Sequence, residues 1–137
     1  MQIEEKLSNL RKEMKKRGLD AYLITGSDPH GSEYVPPRWR TRQWISGFTG
    51  SAGTVVVTLK EAFLWVDSRY YIQGAQEIEG SPFKLKKLGF PGELTPVEWL
   101  AAPPQKGFKV GVDHESLTLE EKKELVNRGI SLIEIDD

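Results

Sequence analysis

The segment FKVGVDHESLTLEEKKELVNRGISLIEI, residues 108–135, establishes the fold class. Its first residues, Phe108–Asp113, have the apolar pattern of a strand. Thr118 and Glu121 form a capping box that opens a helix, and Ile130–Ile135 is predicted to be a closing strand. A strand, a helix and a strand joined by short links form a βαβ unit, which implies parallel pairing and a right-handed crossover.

The centre of the chain adds antiparallel pairing. Gly53 leads into the β-branched run Thr54–Leu59, and Ala62–Val66 is predicted to return beside that run as a hairpin. Further strands are predicted over Asp20–Thr25 and Phe83–Leu88. The sheet is therefore expected to be mixed, with about five or six strands.

Helices are expected on both faces of this sheet, so that the chain forms an α/β domain. Apolar spacing, caps and prolines predict helical segments over residues 3–17, 38–45, 69–78, 95–102 and 118–129. The length of 137 residues is the usual size of one domain, and we expect residues 1–137 to form a single one.

Composition argues against several functional classes. The formal net charge is -1, which gives no long-range attraction to nucleic acid or to an anionic membrane. The chain has no cysteine, so disulfide and thiolate chemistry are excluded. The N-terminus lacks a signal pattern, and no apolar run is long enough to span a bilayer. We therefore expect a cytoplasmic protein without nucleic-acid or membrane partners.

Three glycines, Gly47, Gly50 and Gly53, resemble a phosphate-binding loop. Such a loop opens a helix and usually carries a lysine, whereas these glycines precede a strand and no Gly-Lys-Ser/Thr follows. A tight turn into the strand is the favoured interpretation.

The residue types of a hydrolytic triad occur in one short segment, as His30, Ser32 and Glu33. Neighbours in a single loop seldom reach triad geometry, which is usually assembled from distant segments, so a structural polar loop is favoured. Metal ligation is poorly supported as well, because His114 is the only other histidine and no His-x-x-x-His spacing exists. These patterns predict neither a catalytic nor a metal-binding residue.

A basic and aromatic surface is predicted over the helical segment 38–45. It contains Arg38, Trp39, Arg40 and Arg42. A solvated helix face with one buried tryptophan is the simpler interpretation, and an interface is the alternative, since Arg and Trp are enriched at interfaces. Asp67 and Arg69, at another helix start, are expected to form a local ion pair.

Three motifs in this order resemble the N-terminal domain of Xaa-Pro aminopeptidases (aminopeptidase P), in the creatinase and prolidase superfamily. They are SDPHGSEY at 27–34, ISGFTGSAGTVVVT at 45–58 and AFLWVDSRYYIQGAQEI at 62–78. The histidine-bearing first motif is most similar to the three-domain cytosolic form. The resemblance covers essentially the whole chain and implies a ribonuclease-H-like α/β fold. The motif residues to which it gives a structural role are His30, Ser32, Glu33, Tyr34, Gly47, Phe48, Gly50, Ser51, Gly53, Asp67, Arg69 and Tyr70.

The resemblance also implies how the work is divided in the parent enzyme. That enzyme hydrolyses the Xaa-Pro bond at peptide N-termini with two metal ions, typically manganese, held in a C-terminal pita-bread domain that is absent from this chain. The N-terminal domain is non-catalytic, helps to assemble a probable homo-oligomer, and narrows access to the metal site. This chain alone is therefore expected to be inactive and to contact the missing domains. The alternative is an independent binding module that uses the Arg38–Trp44 surface.

Overall fold

The computed structural model describes residues 3–25, 53–102, 107–113 and 119–135. The helices over these residues are α1 (Ile3–Lys16), α2 (Tyr71–Ile78), α3 (Pro96–Ala101) and α4 (Leu119–Asn127), with a 3-10 turn at Ser68–Tyr70. The strands are β1 (Ala21–Thr25), β2 (Thr54–Thr58), β3 (Ala62–Val66), β4 (Phe83–Lys87), β5 (Lys109–Asp113) and β6 (Ser131–Ile135). None of the helices over the described residues is long and apolar enough to cross a membrane.

The strands form one mixed sheet of six, in the order β4-β3-β2-β1-β5-β6. β2 pairs antiparallel with both β1 and β3, as the predicted hairpin requires. β4 pairs parallel with β3, β5 with β1, and β6 with β5. The predicted mixed sheet and the predicted βαβ unit of β5, α4 and β6 are both confirmed.

Side chains alternate between two apolar layers, one on each face of the sheet. On β3, Leu64 and Val66 belong to the first layer, whereas Phe63 and Trp65 belong to the second. The first layer also contains buried residues of α1 and α2, and the second contains buried residues of α3 and α4. The prediction of helices on both faces is therefore confirmed, and β3 is buried along its whole length because both faces are covered.

The first helix is held to the β2–β3 hairpin by polar as well as apolar contacts. Leu7 and Met14 lie in the first apolar layer. Arg11 donates from Nε to the carbonyl of Thr58 (2.9 Å) and from Nη2 to the carbonyl of Glu61 (3.1 Å), so it satisfies carbonyls of the turn. Burial lowers the pKa of the Arg11 guanidinium.

The element boundaries differ slightly from those predicted. The helix predicted from residue 69 begins with the 3-10 turn, which Asp67 caps, and continues as α2. The helix predicted over residues 95–102 is α3, and a capping box of Thr95 and Glu98 opens it. The helical segment 38–45 and the capping residue Thr118 lie outside the described residues.

Candidate functional site

The predicted site residues fall into two groups. Gly53 lies immediately before β2, and Asp67, Arg69 and Tyr70 lie immediately after β3. The others lie outside the described residues: His30, Ser32, Glu33, Tyr34, Arg38, Trp39, Arg40, Arg42, Gly47, Phe48, Gly50 and Ser51.

Strand register brings the first group to one end of the sheet. Thr54 pairs with Thr25 on β1 and with Trp65 on β3. Gly53 therefore lies beside the end of β3, close to where Asp67 begins the next turn. Thr25 and Gly53, the described residues that flank 26–52 in the sequence, both lie at this end of the sheet.

The turn that follows β3, residues 67–71, is called here the β3–α2 corner, and Asp67 organises it. Asp67 Oδ1 accepts hydrogen bonds from the backbone N–H of Arg69 (3.0 Å) and from Arg69 Nε (3.1 Å). Asp67 Oδ2 accepts from Arg69 Nη2 at 2.9 Å, so the guanidinium and the carboxylate form a two-pronged pair. These bonds lower the pKa of Asp67 and raise the pKa of Arg69. The predicted local ion pair is confirmed.

The corner presents cations stacked on aromatic rings. The Arg69 side chain is 63% exposed, and its guanidinium lies 5.0 Å from the centre of the Tyr70 ring. Lys87 Nζ lies 5.6 Å from the ring centre of Tyr71 and 5.3 Å from that of Phe90, which is half exposed. Arg, Tyr and Phe in such an arrangement favour contact with another surface.

The sequence analysis did not predict that residues at the end of β4 contact the β3–α2 corner. Tyr71 donates a hydrogen bond from its hydroxyl to the carbonyl of Leu88 (2.7 Å), which joins α2 to the residues after β4. Lys87 and Phe90 reach the corner because β4 pairs parallel with β3, so that both strands end on the same side. β3, α2 and β4 are a strand, a helix and a strand joined by short links, which is the pattern that predicted parallel pairing of β5 and β6, so the same signal was present here.

Two cavities lined by described residues are small. One of about 170 Å³ lies between α3 and α4 and combines apolar side chains with the carboxylates of Glu121 and Glu124. Another of about 290 Å³ lies near the β2–β3 turn and is lined by Trp99, Phe108 and Asp20 among others. Both are below the roughly 300–1,000 Å³ typical of small-molecule sites.

Metal ligands do not converge in the part of the chain that the structure describes. No group of three or more His, Cys, Asp or Glu side chains there could hold a metal ion. The β3–α2 corner presents an exposed arginine paired with a carboxylate.

Comparison with known proteins identifies relatives over the same span. Xaa-Pro aminopeptidase 1 of Dictyostelium discoideum is 43% identical over 111 residues, which cover 81% of this chain and 18% of that protein. Aminopeptidase P2 of Arabidopsis thaliana is 42% identical over 113 residues, which cover 81% of this chain and 16% of that protein. The chain thus spans less than a fifth of the length of these curated relatives.

Solved structures agree with this identification. The X-prolyl aminopeptidase of Caenorhabditis elegans, described as a cytosolic enzyme with a di-nuclear active site, matches with a TM-score of 0.86 and 33% identity. The match covers 100% of this chain and 24% of the nematode chain. A creatinase/prolidase-like N-terminal domain from Corynebacterium diphtheriae matches with a TM-score of 0.74 and 18% identity, covering 100% of this chain and 98% of that chain, and supports the fold alone.

A family model describes the same region of sequence. The model of the creatinase/prolidase N-terminal domain matches residues 6–136. This span includes all six strands of the sheet and every residue of the β3–α2 corner. The resemblance found in the motifs is confirmed, and the chain belongs to the family of creatinase/prolidase N-terminal domains.

Proposed function

We propose that this chain is the non-catalytic N-terminal domain of an Xaa-Pro aminopeptidase, and that it assists assembly and restricts access to the metal site. The observation that carries the proposal is the match to the nematode enzyme, which includes the whole of this chain but 24% of that protein. The described residues of this chain, by contrast, do not converge on a metal-ligand group.

The proposed functions of the metal-binding domain and of this chain are each consistent with the chemistry that they would supply. A di-nuclear metal centre in another domain would supply an activated water and polarise the scissile carbonyl. This chain would supply a rigid wall beside that centre, because its sheet is packed on both faces. A wall of this kind narrows the approach, so that a short extended peptide enters more readily than a folded chain.

Two surfaces are proposed to contact the remaining domains. One is the β3–α2 corner, where Arg69 is held by Asp67 and stacked on Tyr70. The other is the surface of Arg38, Trp39, Arg40 and Arg42, which lies outside the described residues. Both offer arginine with aromatic side chains, a combination enriched at interfaces.

The metal and the location are also proposals. Two metal ions are proposed for the missing domain, because the nematode relative has a di-nuclear active site, and manganese is proposed because the motif resemblance implies it. A cytoplasmic location is proposed because that relative is a cytosolic enzyme. Metal analysis of the longer protein and fluorescence imaging of the tagged protein in cells would test these two points.

The test of the proposed function compares three preparations: this chain, the longer protein that contains it, and that protein without residues 1–137. We expect the chain alone neither to hydrolyse Xaa-Pro peptides nor to bind Mn²⁺ tightly in calorimetric titration. Removing residues 1–137 should leave the metal content intact but reduce the preference for short over long Xaa-Pro peptides, measured as a ratio of kcat/KM. Hydrolysis by the chain alone would contradict a non-catalytic role. An unchanged preference together with unchanged assembly would contradict the proposed role in access and assembly.

A further inference from the structure

Contacts on two sides fix the guanidinium group of Arg69 in the β3–α2 corner. Its Nε and Nη2 atoms donate to the two carboxylate oxygens of Asp67, at 3.1 and 2.9 Å. The guanidinium also lies 5.0 Å from the centre of the Tyr70 ring. An arginine that is already fixed loses less conformational freedom when it binds a further acceptor. Arg69 is therefore arranged in advance to bind a second planar group.

One edge of the Arg69 guanidinium is open to such a group. A guanidinium has five N–H donors, and the pair with Asp67 uses the edge formed by Nε and Nη2. Among the described residues, none accepts a hydrogen bond from Nη1 or from the second N–H group of Nη2. The Arg69 side chain is 63% exposed, so an acceptor can approach this edge from solvent. The geometry of the edge matches that of a carboxylate.

Lys87 adds a second positive charge at the same end of the sheet. It pairs in register with Val66, the residue that precedes Asp67. No carboxylate of the described residues pairs with Lys87. Because Arg69 and Asp67 neutralise each other, Lys87 leaves this part of the described surface with an excess positive charge. Such a surface attracts an anion.

We propose that Arg69 binds the C-terminal carboxylate of a short peptide, with Lys87 as the second cation and Asp67 as the residue that positions the guanidinium. The carboxylate accepts two parallel hydrogen bonds, from Nη1 and Nη2 of Arg69. This inference rests on the proposed function and deepens it, because it names the chemical group by which this chain recognises a peptide.

A short peptide fits the proposed role because its carboxylate lies close to the bond to be cleaved. In a tripeptide with proline second, two residues of extended chain, about 7 Å, separate the Xaa-Pro bond from the carboxylate. In a longer peptide the carboxylate lies farther from that bond. A carboxylate site at a fixed distance from the metal centre therefore favours short peptides by attraction, in addition to the narrowed access proposed above.

The first experiment uses this chain alone and detects binding rather than hydrolysis. The 137-residue chain is titrated with the tripeptide Ala-Pro-Ala and with its C-terminal amide at constant ionic strength. Binding is followed by NMR at the backbone amides of residues 67–71. We expect the free acid to bind with a Kd about tenfold lower than that of the amide, because the amide offers no charge and one acceptor oxygen.

Variants of the chain identify the groups that bind the carboxylate. Arg69→Gln should remove the difference between the acid and the amide, and Lys87→Gln should reduce it. The matched control is Arg17→Gln, since Arg17 is another exposed arginine (47%) that pairs with a carboxylate, that of Glu13. Arg17→Gln should leave the difference unchanged. Thermal melts establish that each variant is folded, and the comparison of acid with amide in the wild type needs no variant.

The second experiment measures the kcat/KM of the longer protein for the same two peptides. The ratio of acid to amide should exceed one, and it should fall as residues are added after the proline. Arg69→Gln should bring the ratio close to one, mainly through the KM of the acid. Arg69→Lys retains the charge without the planar edge and should restore the ratio only in part. Asp67→Asn should lower the ratio although Arg69 remains charged, as expected of a positioning residue.

Four outcomes would overturn the proposal. The first is equal binding of the acid and the amide to the chain, or no binding of either. The second is an acid-to-amide ratio that Arg69→Gln leaves unchanged. The third is an equal loss of kcat/KM for both peptides in Arg69→Gln, which would mean that Arg69 contacts a side chain of another domain. The fourth is the same loss of discrimination in Arg17→Gln.

Failure of this proposal is distinct from failure of the proposed function. If the longer protein hydrolyses neither peptide, the proposed function fails, and the role of Arg69 in peptide recognition fails with it. If it hydrolyses both peptides and Arg69→Gln does not change the ratio, only the carboxylate site is excluded.

Discussion

Asp67 combines a cap with an ion pair in the β3–α2 corner. Its carboxylate accepts from the backbone N–H of Arg69 and from two nitrogens of the Arg69 guanidinium. The pKa of Asp67 is lowered in the folded state, with the side-chain hydrogen bond of Arg69 as the largest cause. The carboxylate therefore stabilises the folded chain at pH values above its unfolded pKa, and this contribution is lost as the pH falls through the folded pKa.

The first prediction follows from the lowered pKa of Asp67 in the folded state. Asp67→Asn should lower the melting temperature near neutral pH, and the difference from the wild type should shrink as the pH falls below about 4, where carboxylates of ordinary pKa become protonated. Circular dichroism melts across this pH range measure the difference. In a chain that already carries Arg69→Ala, the same substitution should have a smaller effect. A difference that stays constant down to low pH would contradict the ion-pair interpretation.

Gly111 provides the second prediction, because β5 passes close to a buried leucine. A Cβ at position 111 would lie 2.5 Å from Leu19 Cδ1 and 3.2 Å from Tyr22 Cδ2. Leu19 is 2% exposed and has little room to move. Gly111→Ala should therefore reduce the free energy of unfolding by about 1–3 kcal/mol, as overpacked cores do. Urea denaturation measures this loss.

Gly74 is the matched control for this substitution. It lies inside α2, where a Cβ would meet the end of the Leu85 side chain at 3.1 Å. Alanine in a helix interior is favoured over glycine by about 1 kcal/mol, which offsets a mild contact. Gly74→Ala should be close to neutral. Equal losses at both positions would mean that the close approach at Gly111 is not the cause.

At the scale of elements, α3 depends on its first turn. The hydroxyl of Thr95 accepts from the backbone N–H of Glu98 (3.1 Å), and a Glu98 carboxylate oxygen accepts from the backbone N–H of Thr95 (2.9 Å). The backbone hydrogen bond from Thr95 is the main cause that lowers the pKa of Glu98. The turn is also tied to the sheet, since Trp65 Nε1 donates to the carbonyl of Leu94 at 2.9 Å.

The third prediction tests the capping box of α3. Thr95→Ala removes the accepting hydroxyl and should cost about 1 kcal/mol in the free energy of unfolding. Thr95→Ser keeps the hydroxyl and should cost much less. Chemical denaturation of both variants provides the comparison, and an equal cost for alanine and serine would show that the methyl group of Thr95, rather than its hydroxyl, is important.

At the scale of the whole molecule, replacing the arginines of segment 38–45 tests whether they contact this domain itself or another domain of the proposed longer protein. If Arg38, Arg40 and Arg42 contact missing domains, replacing all three with alanine should change the stability of this chain by no more than about half a kcal/mol. The same triple variant of the longer protein should assemble less well or show an altered KM, with its metal content unchanged.

Thermal melts, sedimentation and peptide hydrolysis make this fourth test in both proteins. Strong destabilisation of the isolated chain would place the arginines within its own fold. Normal assembly and kinetics of the longer protein would mean that they form a solvated surface.

Local patterns in the sequence were sufficient to predict the element types and the corner ion pair. The apolar stripe of α1, the hairpin of β2 and β3, and the capping box of α3 depend on residues close together in the chain. Asp67 and Arg69 are two residues apart, so their pairing could be predicted from spacing alone. The βαβ unit at the end of the chain was predictable for the same reason, because short links leave β6 few alternatives to lying parallel beside β5.

Tertiary structure alone decided the order of the strands and what surrounds the corner. β1 lies between β2 and β5, because this position joins the hairpin strands and the β5–β6 pair in one sheet whose two faces are covered by helical layers. The same sheet brings Lys87 beside the rings of Tyr71 and Phe90, and it places β4 and β6 at its two edges. Such contacts join residues far apart in sequence, and burial on both faces of the sheet, rather than any local periodicity, selects them.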